Sequence, residues 1–250
     1  NTLFSGKTNV VDGKFEMTFM VPKDIRYNYG AGRIVYYAYD EENREEAMGH
    51  FEDFIIGGSS TVEAKDSIGP ELHIYLNNPA FMDGDATYEF PHFYADIYDE
   101  NGINTVGTGI GHDLLLVIDS DPKQTYVLND YFSASNNSYQ QGQVSYKMTE
   151  QTEGIHTLTF RAWDLYNNSS IASLNFQVMK GMDPQIYKVV TYPNPVANTE
   201  SLNIQIEYDQ PDEVIQTAIY LYDISGKLVL THQQKGTEGI RWNMSSLNIP

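Results

Sequence analysis

The sequence predicts an all-β protein of tandem immunoglobulin-like β-sandwiches. Three observations carry this: apolar residues alternate with polar ones, turn dipeptides separate those runs, and one hairpin plan occurs twice. Successive residues of a strand face opposite sides, so an apolar residue at every second position marks a strand with one buried face.

In chain order, Phe15, Met17, Phe19 and Val21 alternate and predict a first strand after the Asp12-Gly13 turn. The stretch "DEENREEAMGHF" is the one place where a short helix start is expected. Leu72, Ile74 and Leu76 predict the next strand, followed by Phe93, Ala95 and Ile97 after the Asp83-Gly84 turn. Beyond Asn101-Gly102, the continuous apolar run from Leu114 to Ile118 reads as a strand buried on both faces. Gln141-Gly142 is expected to turn. Leu158, Phe160 and Ala162, then Ala172, Leu174, Phe176 and Val178, predict a long hairpin with Trp163 in the sandwich core. Leu202, Ile204, Ile206 and Tyr208 alternate again, and Ser225-Gly226 marks a hairpin turn in "IQTAIYLYDISGKLVLTHQQ". Near the end, Ile240, Trp242 and Met244 follow a packing pattern.

The repeated plan sets the organisation. "YAYDEENREEAMGHFEDFIIGG" and "RAWDLYNNSSIASLNFQVMKG" each run from a strand ending Ala-aromatic-Asp, through a polar loop, to a returning strand and a glycine. The pairs Asp40/Gly57 and Asp164/Gly181 share one spacing. The expected units are 1–58, the C-terminal part of an Ig-like β-domain; 59–183, a second sandwich; and 184–250, a last β-module. The chain opens without a Met or signal peptide and reads as a piece of a longer or processed protein.

Composition excludes several functions. Fifteen Lys and Arg against 34 Asp and Glu give a net charge of −19, which repels phosphate backbones and argues against nucleic-acid binding. The absence of cysteine removes disulfides, thiolate metal sites and a cysteine nucleophile. No apolar run reaches the roughly 20 residues of a spanning helix. Tyrosine is abundant, with 19 copies, and suits half-buried sheet positions.

Candidate chemistry is sparse. No Gly-x-Ser-x-Gly is present, and His112-Asp113 does not form a triad pair, because neighbours on a strand face opposite sides. Hard oxygen ligands lie at loop edges in Asp83-Gly84-Asp85, Asp96, Asp99-Glu100 and Asp119-Ser120-Asp121; of these Asp83, Asp85, Asp119 and Asp121 are the candidates for a metal, with calcium the fitting cation and no other cofactor implied. Side chains of this kind also cap turns without any metal. The glycine-rich stretch Gly107, Gly109, Gly111 and His112 precedes a strand rather than a helix, so it is no phosphate cradle and reads as a contact loop. Asp66-Ser67-Ile68 fits the short pattern on which Bacteroidetes attach O-glycans, with Ser67 as acceptor.

Two sets of residues carry a family resemblance. "YPNPVANTESLNIQIEY", "AIYLYDISGKLVL" and "GIRWNMSSL" resemble the C-terminal sorting domain of type IX secretion cargo. The motif residues here are Tyr192, Pro193, Asn194, Pro195, Asp223, Gly226 and Lys227, and the domain's usual closing strand is expected to be lacking. Pro193 and Pro195 fix φ and predict an extended lead into the module. "DENGINTVGTGIGHDLLLVID", "YVLNDYF", "FRAWDLYNNSS" and "VPKDIRYNYGAGRIVYYAYD" look like the region behind the catalytic domain of PorU-type sortases, relatives of the gingipain cysteine peptidases. That resemblance implies a peptidase domain before Asn1, with its catalytic Cys and His, and no catalytic residue in this chain. It implies a place at the cell surface of Bacteroidetes, associated with the outer membrane. An outer-membrane barrel of the PorV type, the secretion apparatus and the sorting domains of cargo would be the partners. The competing expectation is an exported adhesin or glycan-binding module that shares the sorting domain alone.

Overall fold

The computed structural model describes residues 2–22, 29–40, 43–58, 66–106, 111–196, 201–210, 213–236 and, by backbone, 240–243. The fold is all-β, as expected. Its strands are β1 (Gly30–Ala31), β2 (Ile34–Asp40), β3 (Glu45–Phe51), β4 (Ile55–Ile56), β5 (Glu71–Leu76), β6 (Ala86–Thr87), β7 (His92–Tyr98), β8 (Leu115–Ile118) and β9 (Thr125–Val127). They continue with β10 (Phe132–Ala134), β11 (Gln141–Lys147), β12 (Gly154–Trp163), β13 (Ser169–Val178), β14 (Ile186–Tyr192), β15 (Ser201–Tyr208), β16 (Ile215–Tyr222), β17 (Leu228–Gly236) and β18 (Ile240–Asn243).

The buried core belongs to a central sandwich. One sheet runs β10-β11-β7-β5 and the other β6-β13-β12-β8-β9, antiparallel except for the β6–β13 pair. Alternation assigns the inner faces: Leu76, Phe93, Ile97 and Val144 from one sheet meet Leu116, Ile118, Leu158, Phe160, Phe176 and Val178 from the other, each at most 1% exposed. Burying a large apolar side chain of this kind contributes about 2 to 3 kcal/mol. At the β8–β12 corner, Asp119 accepts from the His156 ring (2.7 Å) and the Thr157 amide (2.9 Å), and the other His156 nitrogen faces the Thr152 carbonyl at 2.7 Å.

Residues before 59 are built differently. β2 pairs with β3 and β1 with β4, and none of the described hydrophobic residues here is buried. Both copies of the repeated plan are antiparallel hairpins, each with the same cap. Asp40 accepts from the Asn43 amide (3.2 Å) and side chain (2.8 Å), as Asp164 does from the Asn168 amide (2.7 Å) and side chain (2.6 Å). Within "DEENREEAMGHF", Asn43 and Arg44 turn and Glu45–Phe51 is the returning strand, so its described residues start no helix.

Four further expectations are corrected. Residues 15–21 form no strand, because no neighbouring backbone among the described residues takes up their hydrogen bonds; the Asp12-Gly13 turn closes only a bridge between Val11 and Lys14. Gln141-Gly142 opens β11 instead of turning. A Cβ at Gly142 would overlap the Phe132 ring and lie 2.7 Å from the Ser133 carbonyl, so this glycine serves close strand approach. β8 buries one face fully, through Leu116 and Ile118, while Leu115 and Val117 are half-buried. Trp163 lies outside the core, because Ala162 takes the inward position. Its ring packs against His112 (4.3 Å between centroids) and beneath the Arg161 guanidinium (5.5 Å).

The last module pairs β14-β15-β18 in one sheet and β16-β17 in another. Its link to the sandwich is pinned on both sides. The Gly181 amide donates to Glu89 (3.2 Å), Gln210 donates to the Met182 carbonyl (2.7 Å), and the Gln185 amide donates to buried Asp209 (2.6 Å).

Candidate functional site

Three strand ends meet at one end of the sandwich. Asp66 precedes β5, Asp99 follows β7 and Asp164 follows β12, and carboxylate oxygens of the three lie within 4.8 Å of one another. Asp99 accepts from the Asn101 (2.8 Å) and Gly102 (3.0 Å) amides, and Asp66 from the Ile68 amide (3.1 Å) and the Asn101 side chain (2.8 Å). Burial pushes Asp99 up to about 6, against backbone donors that pull the other way. Burial also raises Asp164, whereas the Ile68 amide lowers Asp66.

Hard oxygens at this separation could accept a proton or a divalent cation. The four carboxylates picked out in the sequence do not converge in this way. Asp83 caps Asn175 (2.7 Å), Asp85 caps Met82 (2.8 Å), Asp121 caps Lys123 (2.9 Å), and Asp119 holds His156. Asp121 and Asp85 do the local capping work of an Asx side chain, while Asp83 and Asp119 tie distant segments together.

The cluster gives a pH prediction. Asp99 is 6% exposed, and its folded value of about 6 exceeds the ordinary 3.8. A raised value means the folded state binds the proton more tightly. The stability it contributes is complete below 3.8 and is lost as pH rises through about 6. Asp99→Asn keeps the acceptor for Asn101 and Gly102 without the charge. It is expected to stabilise the protein at about pH 8 by up to about 2 kcal/mol and to flatten the dependence between pH 4 and 7. Thermal melts across that range check this.

In the last module, Asp223 and Gly226 make the β16–β17 turn. The Asp223 carboxylate accepts from the Ser225 amide (2.8 Å), the Ser225 hydroxyl (2.6 Å) and the Lys227 amide (3.0 Å). Hydrogen bonds, the Ser225 hydroxyl foremost, hold that carboxylate below its ordinary value. Gly226 sits at φ +83, a conformation other residues rarely adopt. The turn leaves Ile224 fully exposed at its tip. Gly226→Val is expected to cost about 1 to 2 kcal/mol and to broaden amide signals of β16 and β17, which NMR reads directly.

Tyr192 is the last residue of β14, and Pro193 to Pro195 form the bend after it, with cis bonds before both prolines. The motif therefore lies inside the module, between β14 and β15, and does not lead into it. The interunit link lies earlier, at residues 181–185. Of the contact loop, Gly107 and Gly109 fall outside the described residues; Gly111 accepts from Arg161 at 3.4 Å and the His112 ring packs at a tilt against Trp163. Ser67 is exposed, and the side chains of Trp242 and Met244 fall outside the described residues.

These parts have known counterparts. Residues 190–249 match the family model of the secretion system C-terminal sorting domain. A sorting tail of this kind implies export and contact with the type IX secretion apparatus. The chain is also similar to dimeric latent PorU from Porphyromonas gingivalis in its crystal structure, with 33% identity over 90% of this chain and a TM-score of 0.50. It spans 22% of the length of that PorU chain. No curated protein matches. Among the described residues, no helix is long and apolar enough to cross a membrane.

Proposed function

We propose that this chain is the non-catalytic C-terminal β region of a cell-surface sortase of the type IX secretion system, a gingipain-related cysteine peptidase. One observation carries the reading. The likeness to PorU extends over 90% of the chain, far beyond the sorting tail at 190–249 that any exported cargo would share. On this reading, residues 1–58 end an Ig-like domain, 59–183 form an Ig-like sandwich and 184–250 form the sorting-type module. The module docks the protein to the apparatus and to an outer-membrane barrel of the PorV type, and the sandwich supports the catalytic domain. The pinned link at 181–185 supports such a spacer role, since it fixes the module against the sandwich.

Two smaller assignments accompany it. Ser67 is the O-glycan acceptor, exposed beside Asp66. Where calcium binds, the oxygens of Asp66, Asp99 and Asp164 hold it; Ca²⁺ at about pH 8 would then raise the melting temperature of the wild type and not of Asp99→Asn.

The partner assignment is tested by crosslinking intact cells and capturing the protein with an antibody to residues 66–250. Recovery of an outer-membrane barrel is the expected result. Recovery of cell-surface glycan receptors without a barrel would favour the adhesin reading.

A further inference from the structure

The outer face of the β5-β7-β11 layer is an ordered grid of polar and aromatic side chains. The strand register places Glu71, Tyr98 and Gln141 in one row, His73, Asp96 and Gln143 in the next, and Tyr75, Tyr94 and Ser145 in a third. The third row is covered at Tyr75, with Tyr94 half-buried and Ser145 exposed. Tyr75 is 5% exposed although it points away from the core, and it stacks on Tyr94 at 5.3 Å. Tyr75 is pushed up to about 12, mainly by burial, with Tyr187 of the last module near enough to add to the shift.

The first two rows stay open and enclose a shallow groove of about 220 Å³. Such a space is below the roughly 300 Å³ of the smallest drug-sized pockets, and it suits one side chain. Its polar lining carries two carboxylates, Glu71 and Asp96, and no lysine or arginine. Asp96 is held in place, accepting from Gln143 at 2.6 Å with His73 3.5 Å away, and Gln143 in turn donates to Tyr75 at 3.1 Å. The Tyr98 ring, 44% exposed, lies directly across from Glu71.

From this we infer that the groove binds the guanidinium or ammonium group of a basic side chain on a polypeptide partner. A cation over the Tyr98 ring gains from the ring quadrupole, and two carboxylates complete its charge-assisted hydrogen bonds. A net charge of −19 concentrates cations at this surface. A neutral saccharide would use the ring, the Gln141 amide and hydroxyl bonds to the carboxylates, but it brings no charge to offset theirs. This site is independent of the sortase reading.

The test is an amide NMR titration of the whole chain with the peptide acetyl-Gly-Arg-Gly-amide, beside its citrulline analogue, agmatine and a methyl glucoside. The arginine peptide is expected to shift signals around Tyr98 and Asp96, more weakly at high salt. Asp96→Asn is expected to weaken it about tenfold. Tyr98→Phe should retain binding and Tyr98→Ala should lose it; the melting temperature of each variant checks its fold. Equal binding of the citrulline peptide, tighter binding of agmatine, glucoside shifts at the same amides, or an unaffected Asp96→Asn would each overturn the inference.

Discussion

Phe160→Ala is expected to lower the unfolding free energy by about 3 to 5 kcal/mol, the largest single effect in the chain. The ring is fully buried and meets Phe93 of the opposite sheet at 5.3 Å, so it bridges the two layers. Its removal leaves a cavity that β7 and β12 cannot close, because each is held between two strand partners. Phe160→Leu fills most of that space and should cost much less. Urea denaturation followed by near-ultraviolet dichroism reads both. A loss below about 1 kcal/mol for the alanine variant would mean that the two sheets do not share one cooperative core.

Replacing Tyr192, Asn194 and Pro195 together by alanine is expected to abolish surface display while leaving the fold intact. Tyr192 is 49% exposed, and its fixed contact is through its carbonyl, which accepts from Asn203 at 3.1 Å and survives the substitution. Loss of display would then report recognition and not unfolding. Protease treatment of intact cells separates displayed from retained protein, and an unchanged melting temperature excludes collapse of the module. Normal display of this variant would remove the motif from the address, and a chain lacking residues 186–250 supplies the fully retained control.

Legibility followed the physics of each feature. Period-two alternation wrote the inner faces of β5, β7, β12 and β13 directly, because a one-residue slip would expose Leu158 and Phe160. The repeated hairpin was legible because both copies keep an Ala-aromatic-Asp strand end and the same Asp–Asn cap. Gly142 misled, since a glycine for a turn and a glycine for close strand contact read alike in one dimension. Residues 15–21 misled because alternation speaks of a face and says nothing of a partner strand. The carboxylate cluster was the least legible. Asp99 and Asp164 follow the ends of β7 and β12 and Asp66 lies in the segment before β5, and only the sandwich topology brings the three together. Asp223 and Gly226, in contrast, act within one turn, so their motif could be read locally.

The most direct measurement concerns the native protein. An antibody to this chain would capture the parent from cells, and its mass and terminal peptides would then be determined. The account predicts a chain several hundred residues longer, with a cysteine peptidase domain ahead of Asn1 and the last module retained. A parent without a peptidase, or one trimmed before Tyr192, would contradict it and make the protein ordinary exported cargo.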